Sequence, residues 1–132
     1  MTKEQHINHW VNSAQYDWEG VESAFITNNY LHSLFWAHLV LEKLAKALWV
    51  KNNEENIPPK THNIIRLLEL SNINLGEDTM KFLEMFIHFQ LSTRYPDYMN
   101  DMYKVCTRDY TAAQLEKVKK IRLCLIEMLQ SE

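Results

Sequence analysis

Glycine and proline are nearly missing from this chain, at two and three in 132 residues. Sheets joined by tight turns draw heavily on both, whereas long helices need few, so the shortage points to an all-α class. Cysteine is also scarce. Cys106 and Cys124 fall in no metal-ligand spacing and suggest no disulfide framework. No run reaches the roughly 18 uncharged apolar residues of a membrane-spanning helix. The opening MTKEQHINHW lacks the basic start and apolar stretch of a signal peptide, so a cytoplasmic protein with no membrane contact is expected. An excess of positive charge is lacking too. At a net −3 the molecule has no overall field to gather nucleic acid, and any phosphate contact must come from a local cluster.

What is present is apolar content at 46% of the chain, enough for one domain over 1–132 to bury a core without disulfides or a structural metal. Thr2 and Gln5 have the spacing of a capping box. Ile7, Trp10, Val11, Ala14, Trp18, Val21 and Phe25 then recur at steps of three and four, the mark of one buried helical face. Asn28-Asn29 is a natural stop, because Asn tolerates the left-handed conformation. A second helix is predicted over Tyr30 to Asn52, and its first half leaves almost no polar side. Such a helix must be covered all round, either at the centre of a bundle or by a second subunit. Pro58-Pro59 breaks the chain, and Thr61 or Asn63 can cap a short helix carrying Ile64, Ile65, Leu67, Leu68 and Leu70. Asp78 is placed to cap a helix with the stripe Met80, Leu83, Phe86, Ile87 and Leu91, which Pro96 ends. Asp97 to Asp109 shows no clean period and reads as a loop packed by Tyr98, Met102 and Tyr103. Thr111 and Gln114 suggest a second capping box, with Tyr110 and Leu115 as its staple, ahead of Val118, Ile121, Leu125 and Met128. The expected architecture is an up-and-down antiparallel bundle of four long helices plus one short helix.

Four features in order carry a resemblance. Trp10, Ala14 and Trp18 lie on the opening helix, and Glu42-Lys43-Leu44-Ala45-Lys46-Ala47 on the second. Pro58-Pro59-Lys60-Thr61-His62-Asn63 and Arg94-Tyr95-Pro96-Asp97 follow. From about Asn8 to Glu127 the chain resembles the HEPN family. The resemblance implies a helical bundle, commonly a homodimer, often encoded beside a minimal nucleotidyltransferase as a toxin–antitoxin or related pair. Many members are ribonucleases that use an Arg followed, after four to six intervening residues, by a His. Arg stabilises phosphate charge and His moves a proton at the 2′-hydroxyl. This chain departs from that pattern. After Arg94 the corresponding positions are Met99, Asn100 and Asp101, and Arg66, Arg108 and Arg122 are likewise followed by no His there. Cleavage of RNA by the family route is therefore not expected.

The expectation is a nucleotide- or RNA-phosphate-binding module, with Lys43, Lys46, Arg94 and Tyr95 as the binding residues. Lys43 and Lys46 are three apart on one face of an otherwise apolar helix, and could equally pair with carboxylates, Glu42 among them. Arg94 could aim at an anion or bond the carbonyls of the preceding helix end. Tyr95 could stack on a base or anchor its loop. One alternative is a ribonuclease acting through Arg94 with His62 or Asp97 moving the proton. Another is a structural homodimer whose second helix is a subunit contact. His38/Glu42 and Glu84/His88, each spaced i, i+4, could in principle face each other around a metal. Di-iron bundles use Glu-x-x-His instead, so no metal and no cofactor is expected.

Overall fold

The computed structural model describes residues 1–92 and 96–131, and side chains outside 90–100. Six helices follow one another: α1 (Lys3–Ile26), α2 (Tyr30–Asn52), α3 (Ile64–Leu70), α4 (Glu77–Ser92), α5 (Pro96–Val105) and α6 (Arg108–Gln130). The four long ones alternate in direction as an up-and-down bundle. Lys3 at the start of α1 reaches the end of α2, and Lys51 at the end of α2 reaches the end of α6. No strand occurs among the described residues, and no described helix is long and apolar enough to cross a membrane.

The first half forms as its local signals dictate. The capping box is complete, with the Gln5 N–H donating to Thr2 Oγ1 at 3.1 Å and the Thr2 N–H donating to Gln5 Oε1 at 2.8 Å. Asn28, at φ 66°, takes the left-handed turn that separates α1 from α2. Helix α2 is the central element, packed against α1, α3, α4, α5 and α6. Its all-round apolar surface is thus covered largely within the chain, and Leu34, Leu41, Leu44, Leu48 and Val50 are fully buried. Phe35 and Trp36 remain 38% and 36% exposed. Trp36 lies over Gly20 of α1, where an added Cβ would come within 2.6 Å of the indole. Only a residue without a side chain admits the ring there.

Lysines close two helix ends. Lys3 Nζ donates to the carbonyls of Val50 and Asn53, both at 2.7 Å, and Lys51 Nζ donates to Met128 O at 2.6 Å and also reaches the Ser131 carbonyl. Both satisfy carbonyls that the last turn of a helix leaves unpaired. Asn63 is the cap of α3, through the Arg66 N–H at 3.2 Å.

The second half departs from expectation at three places. Helix α4 begins at Glu77, and Gly76 O accepts the first helical bond, from the Met80 N–H at 3.0 Å. Asp78 therefore sits inside the first turn, where its charge faces the positive end of the helix dipole, and is not the cap. The segment expected to be a loop is α5. Pro96 stands at its first position, where a missing N–H costs nothing. Met102 packs on the core as expected and Cys106 is buried, but Tyr103 is 48% exposed, and the Tyr98 side chain lies outside the described residues. Helix α6 starts one turn earlier than expected. Thr107 caps it through the Tyr110 N–H at 3.2 Å, and Thr111 is buried within the helix. Thr107 has Tyr rather than Glu or Gln three residues on, so it makes a single cap bond and carries no capping-box signature.

Candidate functional site

A carboxylate at the middle of α2 organises the most polar part of the interior. Glu42 is 3% exposed, and His38 and Lys46, one turn to either side, are buried at 4% and 8%. The i, i+4 spacing that reads as a surface pattern in the sequence here lies under α1 and the chain leading to α3. Lys46 Nζ donates to Glu42 Oε2 at 3.2 Å and also sits 5.1 Å from the centre of the Trp10 ring on α1. A desolvated ammonium gains from the negative face of an indole as well as from its carboxylate. His38 Nδ1 is 4.0 Å from Glu42 Oε1, and its ring lies 6.1 Å from that of Phe86 on α4.

The other partner of Glu42 comes from the connector. His62 Nδ1 stands 3.1 Å from Glu42 Oε1, while 62% of the His62 side chain is exposed. A carboxylate can only accept, so Nδ1 is the donor; Nε2 is an acceptor in the neutral ring and a donor to an anion in the imidazolium. Proline before it and the Asn63 cap after it hold the backbone of this short segment, with Thr61 Oγ1 accepting the Asn63 N–H at 3.1 Å. The result is a buried carboxylate, saturated by an ammonium and an imidazole, that reaches the surface through one ring. Lys60 and Arg66, two residues before His62 and four after, are exposed as well, and Arg66 lies 3.8 Å from Glu69 Oε2. Chemically, such a pair can present a hydrogen-bonding group of fixed tautomer and orientation, or accept a proton at Nε2.

Lys43 also faces α1. Its Nζ is 2.7 Å from Asp17 Oδ2 and donates to Ser13 Oγ at 2.7 Å, both on α1. The two lysines therefore share a helix but not a site: each is held by its own internal carboxylate. His62, by contrast, is brought onto the Glu42–Lys46 pair. Arg94 and Tyr95 lie outside the described residues, as does the side chain of Asp97. The two His/carboxylate pairs do not meet, since Glu84 and His88 are exposed on α4 while His38 and Glu42 are interior. Among the described residues no three His, Cys, Asp or Glu side chains gather as a metal site. Both cysteines are free, and burial pushes the Cys106 thiol up to about 11.

Sequence reading offered Glu42 as a carboxylate partner for the lysines and as half of a pair with His38, but missed that His62 joins it. The place of Glu42 in a run of apolar residues, Leu39-Val40-Leu41 before and Leu44-Ala45 after, was the available signal that it is interior. Missed as well was a second apolar stripe on α4, Phe82, Met85 and Phe89, whose steps of three and four are as regular as those of the stripe assigned. No curated protein and no solved structure matches this chain. The family model for the HEPN domain matches residues 7–129, nearly the whole length. The all-helical bundle and that match lead to one assignment: the chain belongs to the HEPN-domain family.

Proposed function

We propose that this HEPN-domain protein is a regulatory module that binds the phosphate of a nucleotide or RNA and works beside a nucleotidyltransferase partner in a toxin–antitoxin-type pair. The observation that carries the reading is His62, held on one nitrogen by buried Glu42 and itself 62% exposed, with Lys60 and Arg66 exposed nearby in the sequence. A group already oriented by a buried partner loses little freedom when it meets a ligand. Lys46 backs the imidazole from inside. Lys43 can exchange Asp17 for an external anion because that pair is partly exposed, and Arg94 and Tyr95 are added to the binding residues on the family resemblance alone. Calorimetric titration with a nucleotide panel and a short RNA, at low and high salt, tests this. Binding should weaken markedly as salt rises, because neutralised phosphates release counterions. His62→Ala and Lys43→Ala/Lys46→Ala should each reduce it. A flat titration at low salt ends the proposal.

The same contact favours a second reading, a ribonuclease in which His62 takes the place of the family His and Arg94 stabilises the phosphate. Metal-free RNA cleavage leaving 2′,3′-cyclic phosphate ends, lost in both His62→Ala and Arg94→Ala, would establish it in place of the first. A homodimer is part of the proposal as well. With α2 largely covered inside the chain, its support narrows to the exposed edge of Phe35 and Trp36. Sedimentation at micromolar concentration should give twice the 15.8 kDa chain mass, and only the monomer mass would remove the dimer.

A further inference from the structure

Helices α4 and α6 run antiparallel, with Phe82 beside Lys117 and Phe89 beside Tyr110, yet they do not close on each other. A cleft of about 600 Å³ lies between them, floored by Phe82, Phe86 and Phe89 and lipped by Met85. It runs on into a second hollow of about 270 Å³ that shares Asp78, Phe82 and Lys117 and ends at Lys120. Met85 is 74% exposed. From Asp78 to Phe89 the trough follows about 16 Å of α4, the length of some three helical turns. We infer that this cleft docks an acidic amphipathic helix of a partner protein.

Three properties select that occupant. The floor is aromatic and the lip a methionine, the adaptable apolar surface on which helix-in-groove recognition depends. The rim is basic against the trend of the molecule. Lys81, Lys117 and Lys120 face one Asp78 in a chain of net charge −3. Among the described residues neither Lys117 nor Lys120 forms an ion pair, and the Lys81–Glu77 pair at 3.3 Å is largely exposed and so weakly held. Carboxylates on a partner helix would meet these ammoniums at the edge of the trough. Finally, the π surface is already engaged. Phe82 stacks on Phe86 with centroids 5.5 Å apart and 18° between planes, and the Lys117 ammonium lies 5.4 Å from the Phe82 centroid. That leaves apolar relief for side chains to fill rather than an open ring face for a base. The inference does not rest on the phosphate reading, because its residues are separate from His62 and the lysines of α2.

Two synthetic helical peptides of about 15 residues, with one leucine stripe and either a glutamate or a lysine polar face, test it. Each is titrated into the full chain by fluorescence anisotropy and by NMR, with an oligouridylate run in parallel. The glutamate peptide should bind at least about ten-fold tighter than the lysine peptide and shift the signals of Met85 and Lys117. Lys117→Glu/Lys120→Glu should reverse the preference, and Met85→Glu should weaken the glutamate peptide by about ten-fold or more. All three positions are exposed, and helicity measured alongside keeps folding out of the result. Equal binding of the two peptides, or no shift at millimolar peptide, overturns the inference. So does oligouridylate shifting the same signals more strongly, which gives the cleft to nucleic acid. Self-association abolished by Met85→Glu would give it to a second copy and equally overturn it.

Discussion

The α1–α2 pair and the α4–α6 pair are built from helices of similar apolar content, but they use it differently. Between α1 and α2 the charges are paired within the chain, buried at Glu42–Lys46 and partly exposed at Lys43–Asp17. Lys43 holds Asp17, Lys46 holds Glu42 under Trp10, and Trp36 fits the notch at Gly20. Between α4 and α6 the charges ring a cleft, and Phe82 and Met85 face it. The first pair spends its polar residues on specifying its own packing, and the second leaves them available. Lysine count per helix does not distinguish the two, whereas the partner of each lysine does.

The sharpest way to break that contrast is to remove the hub. Glu42→Ala leaves the Lys46 ammonium buried without its carboxylate and releases His62, and should cost about 3–5 kcal/mol, as breaking one side of a buried ion pair does. Urea unfolding reads it. A cost within a few tenths of a kcal/mol would mean that Lys46 escapes to solvent and that the interior network is not what holds α1 to α2. A charge change of the same kind at the cleft, Lys117→Ala, should stay within about 0.5 kcal/mol.

A smaller effect sharpens the comparison at the helix starts. Thr2→Ala and Thr107→Ala should each lose about 1 kcal/mol of stability, because each removes a side-chain acceptor from a first-turn N–H. Gln114→Ala should lose almost none, since α6 is already one turn under way at that point. Equal losses for Thr107 and Gln114 would contradict the observed cap.

A pH-dependent effect concerns Cys106. Its folded thiol is raised from 9.0 to about 11 by burial, so the folded state resists ionisation. The stability this represents is complete below pH 9 and declines as pH rises toward 11, because the unfolded chain then releases a proton that the folded chain keeps. Unfolding followed between pH 8 and 11 should show that decline in the wild type, and a shallower one in Cys106→Ala. Alkylation at pH 8 should label Cys124 first and Cys106 only on unfolding.

The sequence was most legible where a residue acts on its immediate neighbours. Thr2 with Gln5, Asn28 and Asn63 could be assigned because a cap or a left-handed turn is settled within four residues. Helix α5 was not legible, because only packing against the bundle shows which face of Met102 and Cys106 is inside. The start of α6 was misplaced because a capping-box pattern at Thr111 is stronger on paper than the plain cap at Thr107. The candidate site was half legible. Glu42, Lys43, Lys46 and His62 could all be named, but a span of 20 residues separates Glu42 from His62, and no local rule joins them.

From the sequence alone came the helical class, the bounds of the first two helices, the up-and-down order of the long ones, and the family. Apolar periodicity, scarce glycine and proline, and motif order are properties of the chain itself. Tertiary structure decided which charges are paired inside and which are offered outside. Whether Lys46 meets a carboxylate or a phosphate, and whether Phe82 is core or cleft, depends on what stands opposite. In a bundle that is set by helices distant in sequence, whose mutual packing is fixed only when the whole core closes.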